Sequence, residues 1–227
     1  MTPIDRPSPN FDTRSVPVSM IVIHYTGMES AAAAIARLAD PSAKVSAHWV
    51  VAEDGQVVRM VDPDNRAWHA GKSWWRGITD VNSASIGIEI VNPGHEYGYR
   101  PFPAEQMASV ELLIADAVQR FAVAPANVVG HSDIAPARKD DPGELFDWER
   151  LARAGLAMPI PVGGFDPGWT DAGMMAAMAR YGYDITDAAA AVVAFQRRFR
   201  PTRFDGIIDA ETRRLVRGVL LAGAAKS

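Results

Sequence analysis

The apolar positions of the chain fall into runs of two periods. Val16 to Tyr25 (VPVSMIVIHY) is crowded with β-branched residues and reads as a buried strand that ends at His24, just before a Thr26-Gly27 turn. His48 to Val51 and Val57 to Val61 flank Asp54-Gly55, the signature of a two-stranded hairpin. In Ser85 to Val91 (SIGIEIV), Ile86, Ile88 and Ile90 share one face and Ser85, Gly87 and Glu89 the other, because successive strand side chains point to opposite faces. Glu89 therefore points away from the isoleucine layer. Asn127 to Gly130 is a brief apolar strand that delivers His131.

The other runs have helical spacing. Between Pro103 and Phe121, Met107, Val110, Ile114, Ala117, Val118 and Phe121 recur every three or four residues, one apolar stripe of an amphipathic helix. Ser30 can cap an alanine-rich helix running to about Ala39, and Gly155 stops another that covers Trp148 to Ala154. These elements predict an α/β fold, a mixed central β-sheet flanked by helices. Leu156 to Gly168 (LAMPIPVGGFDPG) has the proline and glycine content of a linker. Beyond it, Thr170, Thr186 and Asp209 are the expected N-caps of helices over Asp171–Tyr181, Asp187–Phe199 and Ala210–Leu221. The expected organisation is a first domain over 1–155, a linker over 156–168 and a small three-helix domain over 169–227.

Composition narrows the chemistry. With 48% hydrophobic and 22% charged residues in 227, the chain is an ordinary globular one. A formal net charge of -4 gives no electrostatic reason to expect nucleic acid or an anionic membrane as partner. No apolar run is long enough for a transmembrane segment, and the first residues lack a leader pattern, so the expected compartment is cytoplasmic, or periplasmic or outer-membrane-associated had a leader been removed. Cysteine is absent, which leaves imidazole and carboxylate as transition-metal ligands. His24 and His131 end apolar runs, and Asp141 follows His131 by ten residues in a proline- and glycine-bounded loop. Two imidazoles and a carboxylate suit a hydrolytic zinc with an open position. Spacing alone does not prove that they converge, and a strand-end histidine is more often a hydrogen-bonded structural residue than a ligand.

The segments VIHYTG (22–27), SAHWVVAEDGQVVRMVDPDNRAWHAG (46–71), SIGIEIVNPG (85–94) and GHSDIAPARKDDPG (130–143) resemble, in order, the blocks of the amidase-2 family of N-acetylmuramoyl-L-alanine amidases, which includes AmpD- and AmiD-type enzymes. The similarity covers about residues 16–155. It implies a Zn2+ cofactor held by His24, His131 and Asp141, with Glu89 as proton acceptor and donor and Lys139 as stabiliser of the oxyanion. The implied reaction is hydrolysis of the amide between the lactyl group of ordinary or 1,6-anhydro-N-acetylmuramic acid and the L-alanine of its stem peptide. Muropeptides are then the expected partners. His48 and His69 fall in family-like blocks and either line the cleft or pack behind it. Tyr25, Trp74, Asn92 and Arg138 are further candidates for substrate contact, with packing the competing role for the aromatics. His95 reads as a surface loop residue.

The segment 181–216 resembles the peptidoglycan-binding type 1 domain in its AFQRRFRP, DG and ETRRLV pieces, which implies contact with the sacculus. It departs at Asp209, where that family commonly has glycine. Two other readings compete with the amidase: a non-catalytic peptidoglycan recognition protein, and a zinc endopeptidase acting within the stem peptide.

Overall fold

The computed structural model describes residues 2–224. In chain order the strands are β1 (Ile4–Asp5), β2 (Phe11–Thr13), β3 (Met20–Tyr25), β4 (Trp49–Val51), β5 (Val57–Arg59), β6 (Asn65–Ala67), β7 (Ser85–Ile90) and β8 (Val128–Gly130). The helices are α1 (Ala31–Ala39), α2 (Val81–Ala84), α3 (Gly94–Tyr97), α4 (Ala104–Phe121), α5 (His131–Ile134), α6 (Trp148–Arg153), α7 (Asp171–Tyr181), α8 (Ala188–Phe199) and α9 (Ala210–Ala224). Six strands form one sheet in the order β1-β5-β4-β7-β3-β8, and β2 pairs with β6 apart from it. β3 runs parallel to both β7 and β8, β4 runs parallel to β7, and β4 and β5 form the expected antiparallel hairpin. The sheet is mixed, as the sequence predicts.

The alternation of β3 and β7 sorts the core into layers. Ile21, Ile23, Ile86, Ile88 and Ile90 face α4, where Met107, Val110 and Ile114 cover them. Met20 and Val22 point to the opposite face. There Met174, Met178, Tyr181, Phe195, Phe199 and Val216 of the C-terminal helices join them and Val129 in one continuous apolar cluster with Trp75. At about 25 cal/mol per Å2 of apolar area removed from water, such a shared cluster makes the helices and the sheet face interdependent. α1 covers the rest of that face, with Leu38 against Val50 and Val58.

Several details differ from the expected pattern. β3 begins at Met20 rather than Val16, which is left 43% exposed: Pro17 has no N–H to give a ladder, and only Ser19 of the approach donates to the sheet side, at Ala84. α8 is capped by Asp187, not Thr186. The Asp187 carboxylate accepts the Ala190 N–H at 3.0 Å, while the Thr186 hydroxyl donates to Asp184. Thr170 and Asp209 cap their helices as expected. His95 sits on the one-turn α3 rather than in a loop. Among the described residues, no helix is long and apolar enough to cross a membrane.

Candidate active site

The C-terminal ends of the parallel strands converge, which is where open α/β sheets build sites. Register places His24 of β3 directly beside Glu89 of β7, on the same face. Ile23 pairs with Gly130, so the chain leaves β8 into α5 with His131 as its first residue. Asp141 arrives from the following loop, where its carbonyl accepts the Ser132 N–H at 2.9 Å. His24 Nδ1 and His131 Nδ1 lie 2.9 Å apart, and each is 3.1 Å from Asp141 Oδ2. All three residues are buried, and their ligand atoms lie within 4.8 Å of one another.

The protons around this cluster can be assigned from its outer partners. Ser85 Oγ donates its one hydrogen to the Val81 carbonyl at 2.5 Å, so it must accept from His69 Nε2 at 3.2 Å. His69 Nδ1 is then a lone pair, and His24 Nε2–H donates to it at 3.0 Å. His131 Nε2–H likewise donates to the Ala70 carbonyl at 3.1 Å. In the neutral rings both Nδ1 atoms are therefore lone pairs aimed at each other and at a carboxylate oxygen. Three acceptors this close, with no hydrogen between them, call for a cation. The outer hydrogen bonds are those that orient metal-ligating histidines. Burial pushes the His24 imidazole down to about 4, with repulsion from His131 adding to it, and burial also holds His69 well below its ordinary value. Burial alone would raise the Asp141 carboxyl; positive charge on the His131 and His24 rings, when they are protonated, holds it well below the usual carboxylate range. Neutral imidazoles and an ionised carboxylate are the forms a metal binds.

Residues 14–144 match the family model for N-acetylmuramoyl-L-alanine amidase. The chain belongs to that family. It is 36% identical over 230 residues to the N-acetylmuramoyl-L-alanine amidase AmiD of Escherichia coli (strain K12), an alignment covering 89% of this chain and 82% of that protein. It is also 42% identical over 108 residues to the 1,6-anhydro-N-acetylmuramyl-L-alanine amidase AmpD of the same strain, covering 48% of this chain and 57% of that one. Among solved structures, the complex of E. coli AmiD with anhydro-N-acetylmuramic acid-L-Ala-D-gamma-Glu-L-Lys superposes with a TM-score of 0.82 at 32% identity, covering 95% of this chain and 94% of that one.

In this amidase-family chain the ligands open onto a cleft of about 610 Å3 that Tyr25, His69, Glu89, Arg138 and Lys139 also line. Glu89 is a carboxyl whose Oε2 is shut off from solvent with no hydrogen-bond partner. Burial, and then the charge of Asp141, raise its pKa well above the usual carboxylate value, against the opposing pull of Lys139. The Tyr25 hydroxyl lies 3.0 Å from His95 Nδ1, and His95 Nε2 is 3.1 Å from Glu144, which closes one rim. Arg138 donates to the carbonyls of Ala70 and Lys72 and so braces the opposite wall.

Three candidates lie elsewhere. His48 is fully buried behind His69, accepting the Gly87 N–H on Nδ1 at 2.8 Å, and does not reach the cleft. Asn92 is buried in its own turn, its amide donating to the Arg100 carbonyl and its oxygen accepting the Gly94 N–H. Trp74 is partly exposed over a separate groove with Ile134 and Pro136, whereas its neighbour Trp75 is wholly buried. Local hydrogen bonds occupy the polar atoms of His48 and Asn92, whereas Trp74 stays exposed but faces a groove other than the metal cleft. Three supports of the site carry no signal in the sequence. Asn82 Oδ1 accepts the N–H groups of both His69 and Ala70, Arg14 donates to the carbonyls of Asn82 and Ser83, and Asp133 Oδ2 accepts the Gly130 N–H next to His131.

Proposed function

We propose that this cleft hydrolyses the amide between the lactyl group of N-acetylmuramic acid, in its 1,6-anhydro form, and the L-alanine of the stem peptide, with zinc as its metal. The observation that carries the reading is the convergence of two imidazole lone pairs and one carboxylate beside the unpartnered Glu89 carboxyl. His24, His131 and Asp141 would hold the metal. A zinc ion in such a donor set supplies Lewis acidity, polarising an amide carbonyl and making water acidic enough to act as a nucleophile near neutral pH. The muramyl preference is supported by the relatives, one named for the 1,6-anhydro substrate and the other solved with an anhydro-muropeptide.

The chain's own groups do the remaining work. Glu89 takes the proton of the attacking water and passes it to the departing amine of L-alanine as the C–N bond breaks. Its raised proton affinity suits both halves of that exchange. Lys139, on the cleft wall, presents an ammonium to the oxygen of the tetrahedral intermediate. His69 keeps the His24 tautomer fixed through turnover.

Mass spectrometry of products from 1,6-anhydro and ordinary muropeptides tests the reading. Expected products are the sugar acid and a peptide with free N-terminal L-alanine, with activity lost to a chelator and restored by zinc. Sugar still carrying L-alanine would refute it in favour of an endopeptidase. Glu89→Gln is expected to lower kcat by about 10²- to 10⁴-fold while zinc stays bound; near-wild-type turnover in that variant removes Glu89 from the mechanism. The reading extends to glycan contact by the C-terminal helices, supported by the resemblance of 181–216 to peptidoglycan-binding modules. Asp209 itself is committed to the α9 cap and to Arg200. Retention on purified sacculi tests this part.

A further inference from the structure

Two consecutive arginines at the end of α8 reach the two loops that carry metal ligands. Arg198 is 3% exposed; its Nη1 donates to Asp133 Oδ2 at 2.7 Å and its Nη2 to the Val128 carbonyl at 2.8 Å. Asp133 Oδ2 also accepts the Gly130 N–H at 2.8 Å, and Oδ1 accepts the Tyr183 hydroxyl at 2.5 Å. The Arg198 guanidinium lies over the Trp148 ring at 4.1 Å, which fixes its plane. Its fork therefore grips β8 and the first turn of α5 at once, on either side of His131. Arg197 turns the other way. Its Nη2 is 2.7 Å from Asp140 Oδ1, the residue between Lys139 and Asp141.

Burying an arginine–aspartate pair adds little net stability, because desolvation offsets the attraction; what it does specify is geometry. The two grips lie on either side of a main-chain hydrogen bond, Ser132 N–H to Asp141 carbonyl, that joins the loops. We propose that Arg197 and Arg198 are positioning residues for the metal centre, so that the C-terminal helices complete the metal site by setting the distance between His131 and Asp141. The inference rests on the metal reading of the site. Lysine cannot replace Arg198, since an ammonium lacks the planar fork that meets a carboxylate and a carbonyl together.

Zinc affinity of the full chain, measured by competition with a chromogenic chelator, separates positioning from general stability. Arg198→Lys and Arg197→Met should each bind zinc about 10- to 100-fold more weakly, with kcat on a muropeptide restored by excess zinc and KM unchanged. Arg200→Lys is the control: it breaks the Arg200–Asp209 pair at the same helix end, 2.7 Å long, which touches neither ligand loop. It should lower Tm while keeping wild-type zinc affinity. Arg197→Met leaves behind Asp140, whose side chain is 59% exposed, and the more distant Glu144, 19% exposed, so it decides the outcome if Arg198→Lys melts without a cooperative transition. Wild-type affinity in both clamp variants overturns the inference while leaving the amidase reading intact. A wild-type chain that binds no zinc overturns the metal reading and this inference with it.

Discussion

Gly87 lies at the centre of the sheet between β3 and β4, and its substitution by alanine tests the proton assignment around the metal ligands. A Cβ there would stand 2.4 Å from His69 Cγ and 2.5 Å from Cδ2, about 1 Å inside ordinary contact. β7 is paired on both sides, so the backbone cannot retreat and the ring must move by about that distance. His69 is held at 3.0 Å to His24 and 3.2 Å to Ser85, and such a shift carries at least one of these beyond hydrogen-bonding range. Overpacking costs about 1–3 kcal/mol and a lost neutral hydrogen bond about 1, so Gly87→Ala should be destabilised by about 2–4 kcal/mol. The His24 tautomer also loses its outer partner, for which about 10- to 100-fold in zinc affinity is expected. Urea unfolding of the zinc-free protein measures the first effect and chelator competition the second. An unchanged midpoint together with unchanged affinity would mean that His69 does not occupy the face of Gly87, and the chain of hydrogen bonds from Val81 to His24 would fall with it.

Two further expectations follow from the buried aromatics. The Tyr183 hydroxyl is raised well above 10 by burial and by the Asp133 charge, so the folded chain keeps a proton that the unfolded chain releases. Its contribution is complete below pH 10 and is lost as pH rises from there toward the folded value, at about 1.4 kcal/mol per pH unit. Tyr183→Phe should therefore be less stable than wild type at pH 8 by about 1.5–3 kcal/mol, the worth of a hydrogen bond to a charged group, with the gap narrowing above pH 10. Parallel pH–stability curves for the two proteins would show that the hydroxyl is not held by Asp133. Trp75, wholly buried and edge-on to Tyr181 and Tyr183, ties its loop to the C-terminal helices; Trp75→Ala should cost about 3–5 kcal/mol in chemical denaturation, and a loss under about 1 would contradict that burial.

What the sequence made legible follows the length of the elements. β3, β7, α4 and the C-terminal helices each carry enough residues for a period to show. β1, β2 and β6 span two or three residues, and α2, α3 and α5 a single turn, too short for any period to register; β4, β5 and β8 are as short but are marked by the Asp54-Gly55 turn and by the apolar run before His131. His24, His131 and Asp141 do come together as the family resemblance implied, and the alternation in β7 turned Glu89 away from the isoleucine layer, onto the face where the register then sets His24. The contacts that hold the site were invisible for another reason. Arg198 and Asp133 are 65 positions apart and His24 and His69 are 45 apart, and a pairing over such separations leaves no local trace. His48 stayed ambiguous because a histidine in a cleft-forming block and a histidine buried behind it read identically until the backbone partner, here Gly87, is known.

The joint burial of Met20, Val22 and Val129 with Phe195, Phe199 and Val216 also bears on the birth of the protein. In a chain made from its N-terminus, this face of the sheet emerges long before the helices that cover it. Contacts so distant along the chain close slowly, and incompletely covered faces of this kind are where nascent proteins aggregate. Folding of this face must therefore wait for the helices from residue 171 onward. A ribosome stalled before residue 188 would display a bare apolar surface, an obvious mark for chaperones and proteases.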